Sequence, residues 1–309
     1  MVDTMMRNMY SQNMKTTKTS RWATLVGVAM VAMLPTSALA QAGTDIFLVN
    51  ISRDGGVRFG TPTNVTNRPG YDNQPSFTLD GKAILYTSIR EGQADIWLYD
   101  IDAGSNSAVT TTPESEYSAT GMPGGRTFSV IRVEMDSTQR LWQFELDGTS
   151  PRVIYERVMP VGYHAWIDPN TTAMFILGQP ATLQIGNVET GMTETVASNI
   201  GRSIHKVVDK NAVIFLHRMS EDEAWIAEWD VGTKQMRHLV VPVGDGQDFE
   251  VMHNGTIVMG DGSKLFAWRE EWDGWEEVAD FAGQITEITR LAGSPNGDRI
   301  AIVGSEVTR

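Results

Sequence analysis

The chain has 309 residues, 41% of them hydrophobic, no Cys, and a formal charge of −13. The missing cysteines exclude disulfides, a thiol nucleophile and lipid attachment at a cysteine. The negative charge argues against a nucleic-acid partner, which needs a basic footprint, and against docking on an anionic lipid surface.

The first feature along the chain is a leader. Arg7, Lys15, Lys18 and Arg21 precede an apolar run (Trp22–Leu34), and Ala38 and Ala40 follow in an Ala-x-Ala arrangement. A basic region, a short apolar core and a small-residue cleavage site together predict a secretory signal peptide over residues 1–40, cut after Ala40. The core falls short of the roughly 20 residues a membrane span needs. Met14 is a second candidate start, because MKTTKTSRW supplies a basic region by itself. Cleavage removes four basic residues and one acid, which moves the charge from −13 to −16. No later apolar run approaches membrane length, so the expectation is a soluble, monomeric protein of the periplasm or the exterior, with one domain over 41–309.

The rest of the chain repeats. PSFTLDGKAILY (75–86) sets an Asp-Gly turn between two apolar-rich runs, and a further run, IWLYDIDAG, follows. Similar runs end at Gly148, Gly191, Gly232 and Gly274. Their anchor residues are Trp97, Trp142, Gln184, Trp225 and Phe266, spaced 45, 42, 41 and 41 apart. Turn-forming pairs recur upstream of each anchor: Asp80-Gly81, Gly124-Gly125, Pro169-Asn170, Asp209-Lys210 and Asn254-Gly255, with Asn296-Gly297 near the end. Such pairs accept the positive φ that a tight hairpin requires. Each unit therefore reads as four short strands, a to d. A period of 40–45 residues with four strands per unit is the signature of a propeller blade. Five copies are complete. Residues 285–304 supply only strands a and b of a sixth, and residues 45–66 supply its c and d, with Phe47 in the anchor column. The predicted fold is all-β: a six-bladed β-propeller of four-stranded antiparallel blades, closed by the N-terminal strands joining the C-terminal half blade.

The residues of this repeat carry a resemblance. Pro75, Phe77, Asp80, Gly81, Asp95, Ile96 and Trp97 match the repeat of TolB-like propellers, and SPNGDRIAIV (294–303) matches its turn and second strand. The copies around Met122–Gly125 and 207–215 are degenerate. The resemblance covers essentially all of 41–309 and implies the propeller fold. It also implies a periplasmic setting, since one member is a partner in the Tol–Pal envelope system. That member's additional α/β domain is expected to be absent here. No Gly-x-Ser-x-Gly elbow occurs, which argues against the hydrolase domain that other relatives place beside such a propeller.

Ligands of a propeller meet the entries of the inner strands and the loops on one face, those joining d to a and b to c. The candidate partner-binding residues there are Asn73, Gln74, Tyr117, Tyr163, His164, His205 and Asp248. The leading expectation is a non-enzymatic module that binds a protein, or a peptide or glycan, across this mouth, with no cofactor. The alternative is a divalent metal such as Zn, Mn or Ni held by Gln74, His164 and His205. Oligogalacturonate lyases hold a metal with His and Gln in such a channel, and the alternative function is a metal-assisted polysaccharide lyase or hydrolase. Asp102, Asp147, Glu189 and Asp230 recur in the c–d turns and read as turn formers rather than calcium ligands. Trp272 and Trp275 flank Asp273-Gly274 and read as a cross-strand pair or as an exposed contact patch. The charged segment 217–224 is the most distinctive mouth loop.

Overall fold

Turn residues at regular intervals divide the chain into runs too short and too β-branched for helices, and every run becomes a strand. In the structure, a computed structural model that describes residues 43–306, the elements are all β. The predicted leader lies outside the described residues. The chain opens with β1 (Asp45–Ser52), β2 (Arg58–Phe59) and β3 (Thr63–Asn64). Blade 1 is β4 (Tyr71–Phe77), β5 (Ala83–Arg90), β6 (Gln93–Asp100) and β7 (Ser105–Ala108). Blade 2 is β8 (Ser115–Gly121), β9 (Thr127–Val133), β10 (Gln139–Glu145) and β11 (Arg152–Val153). Blade 3 is β12 (Val161–Asp168), β13 (Thr171–Ile176), β14 (Thr182–Asn187) and β15 (Thr193–Ser198). Blade 4 is β16 (Ile200–Lys206), β17 (Ala212–Arg218), β18 (Ala224–Asp230) and β19 (Gln235–Val240). Blade 5 is β20 (Phe249–Val251), β21 (Ile257–Asp261), β22 (Lys264–Trp268) and β23 (Glu276–Asp280).

Blade 6 is assembled from both ends of the chain. Its order is β24 (Ile285–Gly293), β25 (Arg299–Glu306), then β1, with β2 and β3 sharing the outer position. The join runs from Asp45 opposite Gly304 to Asn50 opposite Arg299, and Phe47 faces Ile302. This is the closure predicted from the half repeats, and it hides the two strand edges that an open ring would expose. The turns follow prediction in four blades, where Gly81, Gly125, Gly255 and Gly297 hold positive φ after strand a; the blade 3 pair, Pro169-Asn170, does not take it. Blade 4 has no glycine there, and Asp209 takes the left-handed conformation at φ 59° instead.

Two details of the repeat depart from the sequence reading. A bulge in strand c or its partner marks the same place in several blades, at Ile96, Leu183, Ile226 and Leu265. Aligned on it, Ala227 rather than Trp225 is the blade-4 equivalent of Trp97. Trp225 lies two residues earlier, stacked on His238 with ring centroids 5.7 Å apart. The c–d turns are closed by side-chain oxygens of Asp100, Asp147, Asn187 and Asp230, each accepting a backbone N–H two or three residues on. The turn-forming role therefore belongs to Asp100 and Asn187, two residues before Asp102 and Glu189. In these turns a short polar side chain must reach its own backbone.

The apolar clusters sit between blades, because each sheet has two faces and only a neighbouring sheet can cover them. Leu85 and Ile96 of blade 1 meet Phe128, Val130 and Phe144 of blade 2. Ile131 and Leu141 of blade 2 meet Val161 and Met174 of blade 3. Phe47, Ile300 and Ile302 of blade 6 meet Val258, Leu265 and Phe281. The two tryptophans of the 269–275 connection part company. Trp272 packs on the blade 5–6 cluster, while Trp275 packs on the blade 4–5 cluster and donates its indole N–H to the Val241 carbonyl at 2.8 Å.

The seam between blades 1 and 2 buries ionisable groups. Glu116, at the entry of β8, is fully buried. Its carboxylate accepts from the Thr110 and Thr112 hydroxyls, and Arg132 Nε lies 3.2 Å away. Asp95, from blade 1, brings a carboxyl oxygen that is buried with no hydrogen-bond partner among the described residues. Burial pushes the Glu116 carboxyl up to about 7, against the downward pull of Thr112 and Arg132.

Two outcomes are expected. Phe47 is 3% exposed in the closing seam, so Phe47→Ala should cost about 3–5 kcal/mol in urea unfolding, and a loss below about 1 kcal/mol would show that the seam does not hold the ring. Glu116 keeps its proton in the folded protein up to about pH 7, whereas the unfolded chain loses it near 4.5. Stability should therefore fall as pH rises between those values, and Glu116→Gln should flatten that part of the profile. A profile identical in the variant would contradict the assignment.

Candidate functional site

Six inner strands converge on the axis and leave a cavity of about 400 Å³ between them. Its border begins at a ring formed by Gln74, Ser118, Tyr163, Arg202, Asp248 and Arg290, one residue from each blade. It continues along the strands to Leu79, Gly121, Lys206 and Pro295, beside the a–b turns. Asp248 apart, no residue of a d–a or b–c loop borders it.

Backbone irregularities aim the ring residues. The pairing of β4 with β5 slips between Asn73 and Ser76, and that of β8 with β9 slips between Tyr117 and Thr120. Gln74 and Ser118 take positive φ, 57° and 53°, inside these bulges. A bulge redirects a side chain without ending the strand. Gln74 is thereby turned toward blade 2, where its Oε1 accepts from Thr87 Oγ1 at 2.7 Å and from the Ser118 N–H at 2.9 Å.

Charge is concentrated on one side of the ring. Arg202 Nε lies 3.0 and 3.2 Å from the two Asp248 carboxylate oxygens, and Nη2 also donates to Asp248. Arg290 Nε is 3.7 Å from the same carboxylate. The Arg290 side chain also spans to the opposite blade. Its Nη2 donates to the Tyr163 hydroxyl at 3.5 Å, with Cζ 5.3 Å from the ring centroid. Burial alone would raise the Asp248 carboxyl, but Arg202 and Arg290 outweigh it and hold the group below its usual range. Below the ring, His205 Nδ1 faces Glu250 Oε1 at 3.3 Å and Nε2 faces Ser203 Oγ at 2.9 Å.

His164 turns toward the neighbouring blade 2. Its Nε2 lies 2.6 Å from Ser129 Oγ, which also accepts the Trp166 indole N–H at 2.8 Å. Ser129 is fully buried, so this pair is not a nucleophile open to a substrate. Burial drives the His164 pKa down to about 3, so the ring is neutral at ordinary pH. Its Nδ1 is buried with no hydrogen-bond partner among the described residues.

Of the seven candidate residues, five border the cavity: Gln74, Tyr163, His164, His205 and Asp248. Asn73 and Tyr117 do not. Asn73 is buried beside blade 6, with Nδ2 3.4 Å from Thr44 Oγ1, and Tyr117 packs on the blade 2–3 cluster. The residues considered for a metal, Gln74, His164 and His205, share the cavity. Among the described residues, no group of three or more His, Cys, Asp or Glu side chains is placed to hold an ion. Arg202 and Glu250 were missed. Only the alternation along β16 and β20 could have marked them.

The comparisons agree with this architecture. A putative TolB from Agrobacterium tumefaciens superposes with a TM-score of 0.69 at 15% identity, over 86% of this chain and 99% of that one. TolB from Acinetobacter baumannii gives 0.59 at 15% identity, over 85% of this chain, which spans only 64% of that protein's length. Oligogalacturonate lyase from Vibrio parahaemolyticus gives 0.46 at 13% identity over 75% of this chain and 88% of that one, too low to carry an argument. No family model matches the chain, and no curated sequence does. The fold is that of a six-bladed, TolB-like propeller. At these identities the likeness extends to the fold alone.

The buried position of His164 has a spectroscopic consequence. In an NMR titration its ring resonances should stay in place from pH 8 to about 4, while an exposed imidazole moves near its ordinary value of about 6.5. A midpoint near 6 for His164 would show the ring is solvated.

Proposed function

We propose that this propeller is a non-enzymatic interaction module of the bacterial envelope, and that it presents its mouth face to a basic segment of a partner protein. The observation that carries the reading is the charge of that face. The described d–a and b–c loops hold ten carboxylates and two guanidiniums, Arg68 and Arg157; three of the ten, Glu114, Glu134 and Asp248, pair with arginines of the strands. Arg68 is already paired with the buried Asp72. Glu91, Asp136, Glu156, Glu221, Asp222, Glu223 and Asp245 are exposed. The opposite face mixes its charges, with six Lys or Arg side chains among its turn acids. A concentrated field of one sign steers a partner of the other sign and sets its orientation. The expected signal peptide and the TolB-like resemblance of the repeat support delivery to the periplasm or beyond. No helix among the described residues is long and apolar enough to cross a membrane.

Replacing Asp136, Glu221 and Asp222 together by Lys tests the reading. These side chains are exposed, so folding and thermal midpoint should hold. Recovery of a partner from envelope extract should drop about tenfold, and the wild-type interaction should weaken with added salt. Equal recovery by the variant at low salt would remove the mouth face from consideration.

A further inference from the structure

The channel has the opposite polarity to the face above it. Its border holds three cations, Arg202, Lys206 and Arg290, against two carboxylates, Asp248 and Glu250. This surplus sits inside a chain of net charge −13. Glu250 is engaged by His205 and by the backbone N–H of Val251 at 2.8 Å. Asp248 is thus the one carboxylate facing both arginines of the ring.

The two arginines are not equally served. Arg202 holds Asp248 through two nitrogens. Among the described residues Arg290 is 3.7 Å from the same carboxylate and 3.5 Å from the Tyr163 phenol, longer contacts than those of Arg202, with Tyr71 adding a favourable electrostatic interaction. Its side chain is 14% exposed, so little water compensates it. A guanidinium has five donors and prefers a planar, two-oxygen acceptor. His164, 7% exposed, borders the same cavity, and its buried Nδ1 has no hydrogen-bond partner among the described residues; that nitrogen is a donor in the tautomer in which Nε2 accepts from Ser129. A cavity of about 400 Å³ lies within the range of small-ligand sites.

The geometry points to a carboxylate receptor site in the channel, with Arg290 as the fork that takes the ligand and Arg202 beside it. Asp248 is the internal stand-in that holds both guanidiniums in place while the site is empty. The ligand is a carboxylate group small enough to lie among the inner strands, either a free diacid or the end of a peptide chain. Asp136, Glu221 and Asp222, the acids replaced in the test of the partner face, do not line this cavity, which runs from the ring toward Lys206 and Pro295.

Calorimetry on the full chain tests this with three probes: succinate, N-acetyl-Ala-Ala with a free carboxylate, and the same dipeptide as its C-terminal amide. At least one acid should bind saturably at about 10 mM or below, and the amide should bind at least about tenfold more weakly than its acid wherever the acid binds. Binding of succinate alone assigns the site to small acids, and binding of the peptide acid alone assigns it to chain ends. Arg290→Lys keeps the charge but loses the fork, and should weaken acid binding about tenfold. Asp248→Asn removes the internal competitor and should tighten binding about threefold or more. A merely structural Asp248 would lower stability and leave affinity unchanged or weaker. Absence of binding by both acids, equal binding of acid and amide, or an unchanged Arg290→Lys variant would each overturn the assignment. The Asp136, Glu221 and Asp222 variant should bind the acids like wild type, which separates failure of this site from failure of the partner face.

Discussion

Six backbone pairings, from Asp45 opposite Gly304 to Asn50 opposite Arg299, hold the architecture together. Each blade buries its faces only against its neighbours, so a ring left open would expose two apolar faces and two strand edges at once. Placing the join inside a blade, rather than between blades, recruits the full hydrogen-bond ladder of a sheet to close the circle. The axis then exists, and with it the convergence of six inner strands on which every feature of the channel depends.

Around that axis the charges are sorted by depth. The loops of the mouth are acidic and hydrated. The ring beneath them holds Arg202 and Arg290 about a single carboxylate, in surroundings where solvent is scarce. Exposed like charges on a loop repel one another weakly because water screens them. Two guanidiniums in a narrow channel cannot rely on such screening, and they are tolerable because Asp248 faces both.

Buried polar groups also tie blades to one another. Gln74 bridges blades 1 and 2 through Thr87 and Ser118. Ser203 of blade 4 donates to the Phe249 carbonyl of blade 5 at 3.1 Å. Ser129 of blade 2 meets His164 and Trp166 of blade 3. Apolar packing between sheets is permissive about register, while a hydrogen bond to a particular atom is not. These contacts specify how neighbouring blades are set.

Turn chemistry and strand periodicity are local, so the sequence alone determined the strands, the count of six blades and the closure by Phe47 opposite the last strand. Local signals also misplaced what they could not resolve. Trp225 looks like the anchor of its blade, yet a bulge puts Ala227 there, and Asp102 looks like the turn acid that Asp100 is. The site was only half legible for the same reason. Gln74, Tyr163, His164, His205 and Asp248 stand where strand entries place them. Asn73 and Tyr117 stand there equally well and point elsewhere, because a one-residue bulge reverses the face a side chain takes. That Arg290 reaches across to Tyr163, 127 residues away, and that Asp248 faces two guanidiniums, only the closed ring decided, since nothing in the chain order brings opposite blades together.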